Sequence, residues 1–489
     1  MALIPRRKQP VNQDFLDQAA KPGDDRLVKY ALFEDYYTGR DQGTQLTDRT
    51  KKYLQRQGSV LKWRENFCEP LVDVYAERLQ VTGFASNLPA QGDDPPALDE
   101  WLDLVWQRNR MDAKQAVVHT AAIYKGDKFV LVDYDYLTGL PRVTCQRPET
   151  IKPHYGDEYE DQMEWASKTW TTQTVHPRLN PKGRAVQRLN LYWPDRVEKW
   201  FRVTRDSRGG WEPWADLTEE GEEPWPVPWV RSDGSPRGVP VFHFKHRSLG
   251  ADFGRSELEN VIPEQDELNK QIVDLNMVLD NHAAPQRWAV GVPADNTSLK
   301  SAFGNVWHAA SEDAKFGQLE PFDPRGVLDA IEGTISRMAR RSRTPLHLLT
   351  GGDMPSGEAL RTAEAGLVAK VLACQTPFGN VWEDVMRMCI LLAEEEGTAP
   401  AGVTITDDLV LETQWDDPLS RNEKEEAETA SLWHDLGVSK HTLLLKAGFD
   451  PDEEAERRGQ EADEAQENLG VLMDRGGPLF NDPMAREAA

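Results

Sequence analysis

Two helical stretches with apolar faces, at 256–283 and 326–343, flank a compact insert in the middle of the chain. The first stretch carries apolar residues at steps of four, three and four: Leu268, Ile272, Leu275 and Leu279. This spacing is typical of a coiled-coil seam, which packs against a facing helix along its whole length. Ordinary core helices show the same spacing, so periodicity alone leaves both interpretations open. Any fold of this chain must therefore accommodate a helix that runs away from the rest of the protein, a small insert, and a second helix that runs back.

The first stretch has two alternative starting points. Ser256, with Glu259 three residues on, has the form of a capping box. Pro263 lies just inside the stretch, and proline is tolerated in the first turn of a helix but not in its interior. The regular helix therefore begins either at Ser256 or near Pro263.

The second stretch ends at Thr344 and Pro345, because the residue before a proline avoids the helical conformation. A glycine-containing segment follows, which we expect to be a loop more mobile than its neighbours. Its residues are Gly351, Gly352, Asp353, Met354, Pro355, Ser356 and Gly357. Beyond it, the apolar spacing over 360–396 is interrupted by Pro377 and Gly379, which predicts one long kinked helix or two helices in series.

The N-terminal half begins with helical patterns and then changes period. Helices are predicted at 26–41, 63–79, 97–109 and 111–124, and the second should bury Phe67, Leu71, Val74 and Tyr75. From 128 to 247 the pattern becomes strands and turns, with eight of the 16 tryptophans between 165 and 229. Aromatic residues favour half-buried sheet faces, so we expect these tryptophans to pack rather than to stack on bases. A strand near 404–415 and an acidic helical tail complete the prediction.

Composition excludes several classes of protein. Hydrophobic residues make up 39% of the chain, so it can bury a core, and its four cysteines have no C-x-x-C spacing. No apolar run approaches the roughly 18 residues of a membrane span, and we expect a soluble protein without a signal sequence. The net charge of −25 argues against tight binding to nucleic acid by phosphate neutralisation. The Walker A pattern of packaging ATPases is also absent from the sequence.

The order of helix, insert, helix, loop and long helix resembles the stem, clip, stem, tunnel loop and wing helix of bacteriophage portal proteins. Four segments resemble the Gp6-like (SPP1-type) family of tailed double-stranded DNA phages, at 254–259, 265–270, 285–288 and 356–360. The resemblance implies a portal fold of the α+β class, predominantly helical, with wing, stem, clip and crown regions, assembled as a ring.

The resemblance also implies a division of the chain into regions. These are an N-terminal wing (1–255, β-rich over 128–247), a stem helix (256–284), a clip (285–322), a second stem helix (323–343), a tunnel loop region (344–357), a wing long helix and strand (358–415) and a crown-like acidic helical tail (416–489). In the clip, the implied docking residues for the terminase and the adaptor are Pro285, Gln286, Arg287, Trp288 and Trp307.

Portal proteins of this family form a ring, usually of twelve subunits, at one vertex of the capsid. The resemblance implies that double-stranded DNA is packaged and ejected through the ring. The implied partners are other copies of the chain, the terminase large subunit, the major capsid and scaffolding proteins and the head-tail adaptor. We expect location in the virion, with host cytoplasm as the site of assembly, and no membrane, cofactor, metal or catalytic residue.

Arg337, Arg340, Arg341 and Arg343 form the densest basic cluster of this acidic chain. Arginine in the last turns of a helix is stabilised by the negative end of the helix dipole, which is a sufficient structural reason. Arginine also binds carboxylates and phosphates through paired hydrogen bonds. These four residues are therefore candidates for contact with DNA or with a neighbouring subunit.

Two functions of other classes remain as alternatives. Asp133 and Asp135 after an apolar strand are similar to the acidic pair with which nucleotide-sugar transferases hold a divalent metal, although a turn at the strand end explains them equally well. His243 and His246 lie three residues apart on a predicted strand, so their side chains should face opposite sides and not share a metal. The second alternative is a scaffold protein that forms no channel.

Overall fold

The computed structural model describes the greater part of the chain. The described residues are 12–21, 24–40, 48, 52, 55, 65–88, 97–159, 161–176, 178–204, 209–218, 221–282, 287–290, 313–318, 323–351, 357–400, 408–419, 430–446, 454–455 and 457–459. The chain divides into two compact units, Met1–Pro418 and Leu419–Ala489. Helix accounts for 47% of the described residues and strand for 23%, which places the protein in the α+β class with more helix than strand.

Within the described residues, the N-terminal part of the first unit contains five helices: α1 (Gln13–Ala20), α2 (Asp24–Tyr37), α3 (Cys68–Ala76), α4 (Ala97–Arg108) and α5 (Met111–Lys125). The last four correspond to the four helices expected from the sequence. α3 is shorter than expected, and it buries Cys68, Leu71, Val72 and Tyr75, whereas Phe67 and Val74 are only partly buried. The predicted face is therefore fully buried at Leu71 and Tyr75 and partly buried at Phe67 and Val74.

The strands are β1 (Val81–Ser86), β2 (Asp127–Asp135), β3 (Leu140–Gln146), β4 (Ile151–Tyr155), β5 (Met163–Thr172), β6 (Val186–Tyr192), β7 (Arg196–Val203), β8 (Glu212–Pro213), β9 (Leu217–Thr218), β10 (Gly221–Glu222), β11 (Val227–Pro228), β12 (Val241–Lys245), β13 (Arg287–Val290), β14 (Lys315–Gln318) and β15 (Leu411–Trp415). A three-stranded sheet has the order β12-β2-β3, and a six-stranded sheet has the order β11-β7-β6-β5-β4 with β8 beside β7. Both are antiparallel.

The tryptophans of the six-stranded sheet pack as expected. Trp200, Trp211, Trp214 and Trp229 are buried. Trp211 belongs to a cluster that includes Leu16 and Ala19 of α1, so this helix covers one part of the sheet. The indole of Trp211 also donates a hydrogen bond to Asp17 of α1 at 3.0 Å.

The later helices are α6 (Ile262–His282), α7 (Arg325–Ser342), α8 (Leu346–Thr350), α9 (Gly357–Glu395) and, in the second unit, α10 (Lys440–Lys446). A single 3-10 turn, Glu257–Asn260, precedes α6. Ser256 caps this turn by accepting a hydrogen bond from the backbone N–H of Leu258 at 3.0 Å, so the regular helix begins at Ile262, with Pro263 in its first turn. α9 continues through Pro377 as one helix rather than two.

The main core forms where α9 packs against the three-stranded sheet and α5. Trp382 is fully buried, and its indole N–H donates to Nε2 of His119 at 2.9 Å. Nδ1 of His119 in turn donates to the carbonyl of Leu79 at 2.8 Å, so the ring must be the neutral Nδ1–H tautomer. Burial lowers the pKa of His119 to about 4, which keeps it neutral.

Candidate functional site

The two helices singled out by the sequence pack against each other. α6 and α7 bury a small cluster of their own, in which Leu268, Ile335 and Met338 are fully or nearly fully enclosed and Ile272 is partly buried. Leu71 of α3 and Val261 also belong to this cluster, which attaches one end of the pair to α3. We call α6 and α7 the stem pair.

Burial along the predicted seam declines in one direction. Leu268 is fully buried, Ile272 and Leu275 are half-buried, and Leu279 is 45% exposed. Leu328, in the first turn of α7, is 43% exposed. The facing helix of the same subunit, α7, therefore covers the seam near Leu268 and leaves it open to solvent near Leu279. Apolar surface left open along a helix is a common sign of an interface.

Two of the four arginines connect the stem helices to each other. Arg337 approaches Glu267 to 2.9 Å, and Arg341 approaches Glu264 to 2.9 Å and donates to the carbonyl of Asn260 at 3.1 Å. Glu264 is nearly buried, whereas the other three charged side chains are substantially exposed. Ion pairs of this exposed kind contribute roughly 0–1 kcal/mol each, so they align the helices more than they stabilise the fold.

The other two arginines are less constrained. Nε of Arg340 donates only to the carbonyl of Ser336 on its own helix, at 3.3 Å. Arg343 caps α7 in the left-handed conformation, with φ 55°, and its backbone N–H satisfies carbonyls of the last turn. Neither guanidinium has a carboxylate within 4 Å among the residues that the structure describes. Their charge is therefore available to another molecule.

The predicted tunnel loop region begins with a helix. Thr344 and Pro345 end α7, and the one-turn helix α8 follows before Gly351, whose φ of 61° ends it. Gly357 is the first residue of α9. Gly352, Asp353, Met354, Pro355 and Ser356 lie outside the described residues.

The predicted clip contains a β-hairpin. β13 and β14 pair in antiparallel register, with Trp288 opposite Gly317. A Cβ atom added at Gly317 would lie 2.4 Å from the ring of Trp288, so the indole covers the glycine and no larger residue fits there. Trp288 remains 44% exposed. Pro285, Gln286 and Trp307 lie outside the described residues, and only the backbone of Arg287 is described.

A buried ion pair joins α9 to the stem pair, and sequence reasoning missed it. Nζ of Lys370 lies 2.9 Å from Oε1 of Glu257 and donates to the carbonyl of Ser342, the last residue of α7, at 2.9 Å. Arg247 approaches the second oxygen of Glu257 to 3.3 Å. Burial lowers the pKa of Lys370, while the adjacent carboxylate opposes that shift. The three residues are too far apart in the sequence for any spacing rule to connect them.

A pair of glycines positions the start of the stem. Gly126, with φ 92°, ends α5, and Gly254 lies directly against it: a Cβ at Gly254 would be 1.9 Å from the carbonyl oxygen of Gly126. Because only glycine allows this approach, Gly254 fixes the segment that leads into Ser256 and α6. This gives a physical reason for the glycine that opens the 254–259 segment.

The residues considered for a metal site make hydrogen bonds to other groups of the same subunit. Asp133 accepts a hydrogen bond from the backbone N–H of Tyr134 at 2.9 Å, and Asp135 accepts from that of Leu137 at 3.0 Å in the β2–β3 turn. His243 contacts Asp127 and Tyr155 through its two nitrogens, whereas His246 contacts the carbonyl of Arg255. No group of three or more His, Cys, Asp or Glu side chains among the described residues is placed to hold a metal.

Comparison with known proteins decides the family. Residues 20–468 match the family described as phage portal protein, SPP1 Gp6-like. The chain belongs to this family. It is also similar to the portal protein of Mycobacterium phage L5, with 25% identity over 433 residues, covering 82% of this chain and 79% of the relative. The portal protein of Mycobacterium phage D29 gives 25% identity over 437 residues with the same coverage.

The resemblance inferred from the four segments is thus confirmed, and the protein has the portal role in DNA packaging. Portal proteins are structural components of the virion capsid, and a transferase function is not favoured. Within the part of the chain that the structure describes, no helix is both long and apolar enough to cross a membrane.

Proposed function

We propose that twelve copies of this chain, the number usual for its family, close into a ring at one capsid vertex and that double-stranded DNA enters and leaves through it. The observation that carries this proposal is the stem pair, whose apolar seam is covered at Leu268 and open at Leu279. In a closed ring each copy uses the same two complementary surfaces, so a neighbour covers what the subunit itself leaves open.

Substitution of Leu275 by Asp tests the ring. Leu275 is half-buried in the isolated subunit, and a carboxylate there would be enclosed when a neighbour packs on the seam. The Leu275→Asp chain should fold but assemble less than the wild type. Light scattering after size-exclusion chromatography measures this, because a ring has many times the 55.4 kDa of one chain. A wild type that remains monomeric at high concentration in every salt would contradict the ring.

DNA passage through the ring requires contacts that are weak. Each phosphate that a protein neutralises adds affinity and salt dependence, and strongly held DNA would not move. With 82 acidic against 57 basic residues, most of the surface should repel DNA. Of the four candidate arginines, Arg340 is the best for any attractive contact with DNA, because Arg337 and Arg341 are already paired with Glu267 and Glu264, and Arg343 lines a recess.

Charge reversal tests this assignment within the cluster. Arg340→Glu should impair packaging or DNA retention, whereas Arg337→Glu should mainly disturb the contact with Glu267 inside the stem pair. The measurement is the amount of DNA retained in particles that contain normal numbers of rings. Nanomolar affinity of the wild-type ring for free duplex at physiological salt, or packaging indifferent to both reversals, would argue against the assignment.

The segment 350–357 is proposed as a tunnel loop facing the channel. The support is its position, since it joins α8, which ends at Gly351, to α9, which begins at Gly357. A ring structure in which Asp353 and Met354 are enclosed between subunits away from the axis would exclude this placement.

The β13–β14 hairpin is proposed as the part of the clip that docks the terminase large subunit during packaging and the head-tail adaptor afterwards. Its support is the exposed indole of Trp288, because exposed tryptophan often anchors protein interfaces. Trp288→Ala should reduce terminase binding in a pull-down while the ring stays intact. The major capsid and scaffolding proteins are proposed as the remaining partners, with assembly in the host cytoplasm.

No catalytic role is proposed for any residue. Asp133→Asn combined with Asp135→Asn should leave packaging intact apart from a folding penalty, because both side chains already cap backbone N–H groups. Stoichiometric Mn²⁺ or Mg²⁺ at these carboxylates together with turnover of a nucleotide sugar would disprove this.

A further inference from the structure

A recess of about 300 Å³ opens where the C-terminal end of α7, the middle of α9 and the segment after β12 meet. One carboxylate, that of Glu257, lines it. Five cationic residues line it as well: Lys245, Arg247, Arg341, Arg343 and Lys370. Such an excess of positive charge is unexpected in a chain of net charge −25.

The charged groups at the floor already have partners within the subunit. Glu257 is nearly buried and is shared between Lys370 at 2.9 Å and Arg247 at 3.3 Å. The ammonium group of Lys245 lies 4.4 Å from the centre of the Tyr155 ring, which engages it in a cation–π contact. Glu257 and Lys370 therefore cancel each other's charge, whereas the Tyr155 ring stabilises the ammonium group of Lys245 without neutralising it.

The unbalanced charge lies at the mouth. Arg341 has Glu264 as its partner at 2.9 Å, but Arg343 has no carboxylate within 4 Å among the described residues. The side chain of Arg247 is 47% exposed, and it shares its only described carboxylate with Lys370. Arg343 therefore presents a guanidinium group that no described carboxylate neutralises, and Arg247 presents one that its shared carboxylate neutralises only in part.

We propose that the mouth of this recess binds the carboxylate of an Asp or Glu side chain from a second copy of the chain, held by Arg343 and Arg247. A guanidinium group pairs with a carboxylate through two parallel hydrogen bonds. The inference rests on the proposed ring and adds a specific contact to it. Neighbouring subunits of this acidic chain repel each other, so an interface needs a place where a carboxylate of one subunit meets cations of the other.

The shape of the recess favours a side chain over DNA. Phosphates project from the convex surface of a duplex, whereas the recess is concave and its floor presents hydrogen-bond acceptors. Nδ1 of His246 donates to the carbonyl of Arg255 at 2.8 Å, so its buried Nε2 is an acceptor beside the carboxylate of Glu257. An anion is therefore stabilised by the guanidinium groups at the mouth, whereas Glu257 and His246 offer it no hydrogen-bond donor at their side of the floor. One carboxylate side chain meets this requirement.

A carbodiimide joins an amine to a carboxylate without a spacer, so it reports direct contact. Wild-type chains carry no amine at position 343, and Arg343→Lys places one at the mouth. Rings of this variant are assembled from a mixture of ¹⁴N-labelled and ¹⁵N-labelled subunits. If position 343 contacts a neighbouring subunit, some cross-links should join a peptide that contains residue 343 to a peptide carrying the other isotope. Arg325→Lys is the matched control, because Arg325 lies on the same helix, is 84% exposed and has Asp323 of its own chain beside it. The control should give only links within one chain.

Arg343→Ala supplies the second readout. Loss of one charged hydrogen-bonded contact per interface should weaken ring association about tenfold, and Arg325→Ala should change it less than about twofold. Intact rings with no inter-chain link at position 343, or with links only inside one chain, would reject the inference while leaving the ring in place. Unchanged assembly of Arg343→Ala with reduced duplex affinity would reject it in favour of DNA contact. A wild-type chain that never assembles would reject the ring itself.

Discussion

We call the main core, formed by α9, α5 and the three-stranded sheet, the wing core. The wing core and the stem pair bury their apolar residues in different ways. In the wing core, Trp382, Phe378 and Phe244 are all fully or almost fully buried, and even the polar atoms of His119 have partners inside the subunit. In the stem pair, burial falls from Leu268 to Leu279, and the ion pairs lie at the surface. One chain suffices to complete the wing core. The stem pair is left incomplete, which is the expected state of a region that is finished by assembly.

The largest expected effect comes from the wing core. Trp382→Ala removes a fully buried side chain and leaves His119 without its indole donor, which should destabilise the fold by about 3–5 kcal/mol. Trp288→Ala in the hairpin is the control and should have a small effect, since Trp288 is 44% exposed. Denaturant unfolding at one fixed protein concentration measures both. If Trp382→Ala and Trp288→Ala lowered the free energy of unfolding equally, the core would not differ from the exposed hairpin in its contribution to stability.

The connection between the two regions should be nearly as sensitive. Lys370→Met removes the cation that joins Glu257 to the end of α7, and breaking a buried ion pair costs about 3 kcal/mol or more. Lys29→Met, at an exposed position of α2, is the control. Adding Glu257→Gln to Lys370→Met should recover part of the loss, because the carboxylate is then no longer buried with too few cations. No recovery in the thermal midpoint would mean that the pair acts through packing and not through charge.

Acid should weaken the wing core in a specific pH range. The pKa of His119 is about 4 in the folded chain and 6.5 in an exposed histidine, because burial disfavours the charged ring. The unfolded chain therefore binds the proton first as pH falls. The stabilising contribution of neutral His119 is complete above pH 6.5 and is lost progressively down to pH 4, by on the order of 3 kcal/mol.

His119→Gln should flatten this part of the stability profile. The variant is less stable than the wild type at pH 7, but the gap should narrow as pH falls towards 4. His434→Gln, at an exposed position, should leave the slope unchanged. Parallel profiles for His119→Gln and the wild type would show that the His119 ring is not held neutral by the core.

The smallest effect on unfolding should come from the open end of the seam. Leu279→Ala should lower the stability of the isolated subunit by less than about 1 kcal/mol because the side chain is 45% exposed, whereas Leu268→Ala should lower it by about 2–5 kcal/mol. The two substitutions should weaken assembly to more similar extents, because both leucines lie on the same seam. If Leu279→Ala leaves the mass of the particle and its resistance to dilution unchanged, the open end of the seam is not an interface.

The sequence revealed the local elements of this fold better than its long-range contacts. Apolar spacing located α4, α5 and α9, and the change of period located β2, because each signal lies within one element. β1 was missed: it has only six residues and includes Gly83, and its partner β15 lies more than three hundred residues later. The start of α6 was ambiguous because Ser256 does cap a helical turn, but that turn is the 3-10 segment before the helix.

The candidate site could be predicted only in part, because the sequence shows which residues are neighbours along the chain but not which residues the fold brings together. The arginine cluster is visible in the sequence because its members are adjacent. Which of them are paired is not visible, since Glu264 and Glu267 lie on another helix. Glu257, Arg247 and Lys370 were missed because only the fold brings them together. The family resemblance supplied the portal role, which neither composition nor periodicity could have provided.

Neighbouring copies should complete the stem pair, and a cryo-electron microscopy reconstruction of the particle formed by the purified chain would show whether they do. We expect a closed ring in which Leu275 and Leu279 of each subunit are enclosed by the adjacent subunit. A ring in which both leucines remain open to solvent, or a preparation that contains only single chains at every concentration and salt, would contradict it.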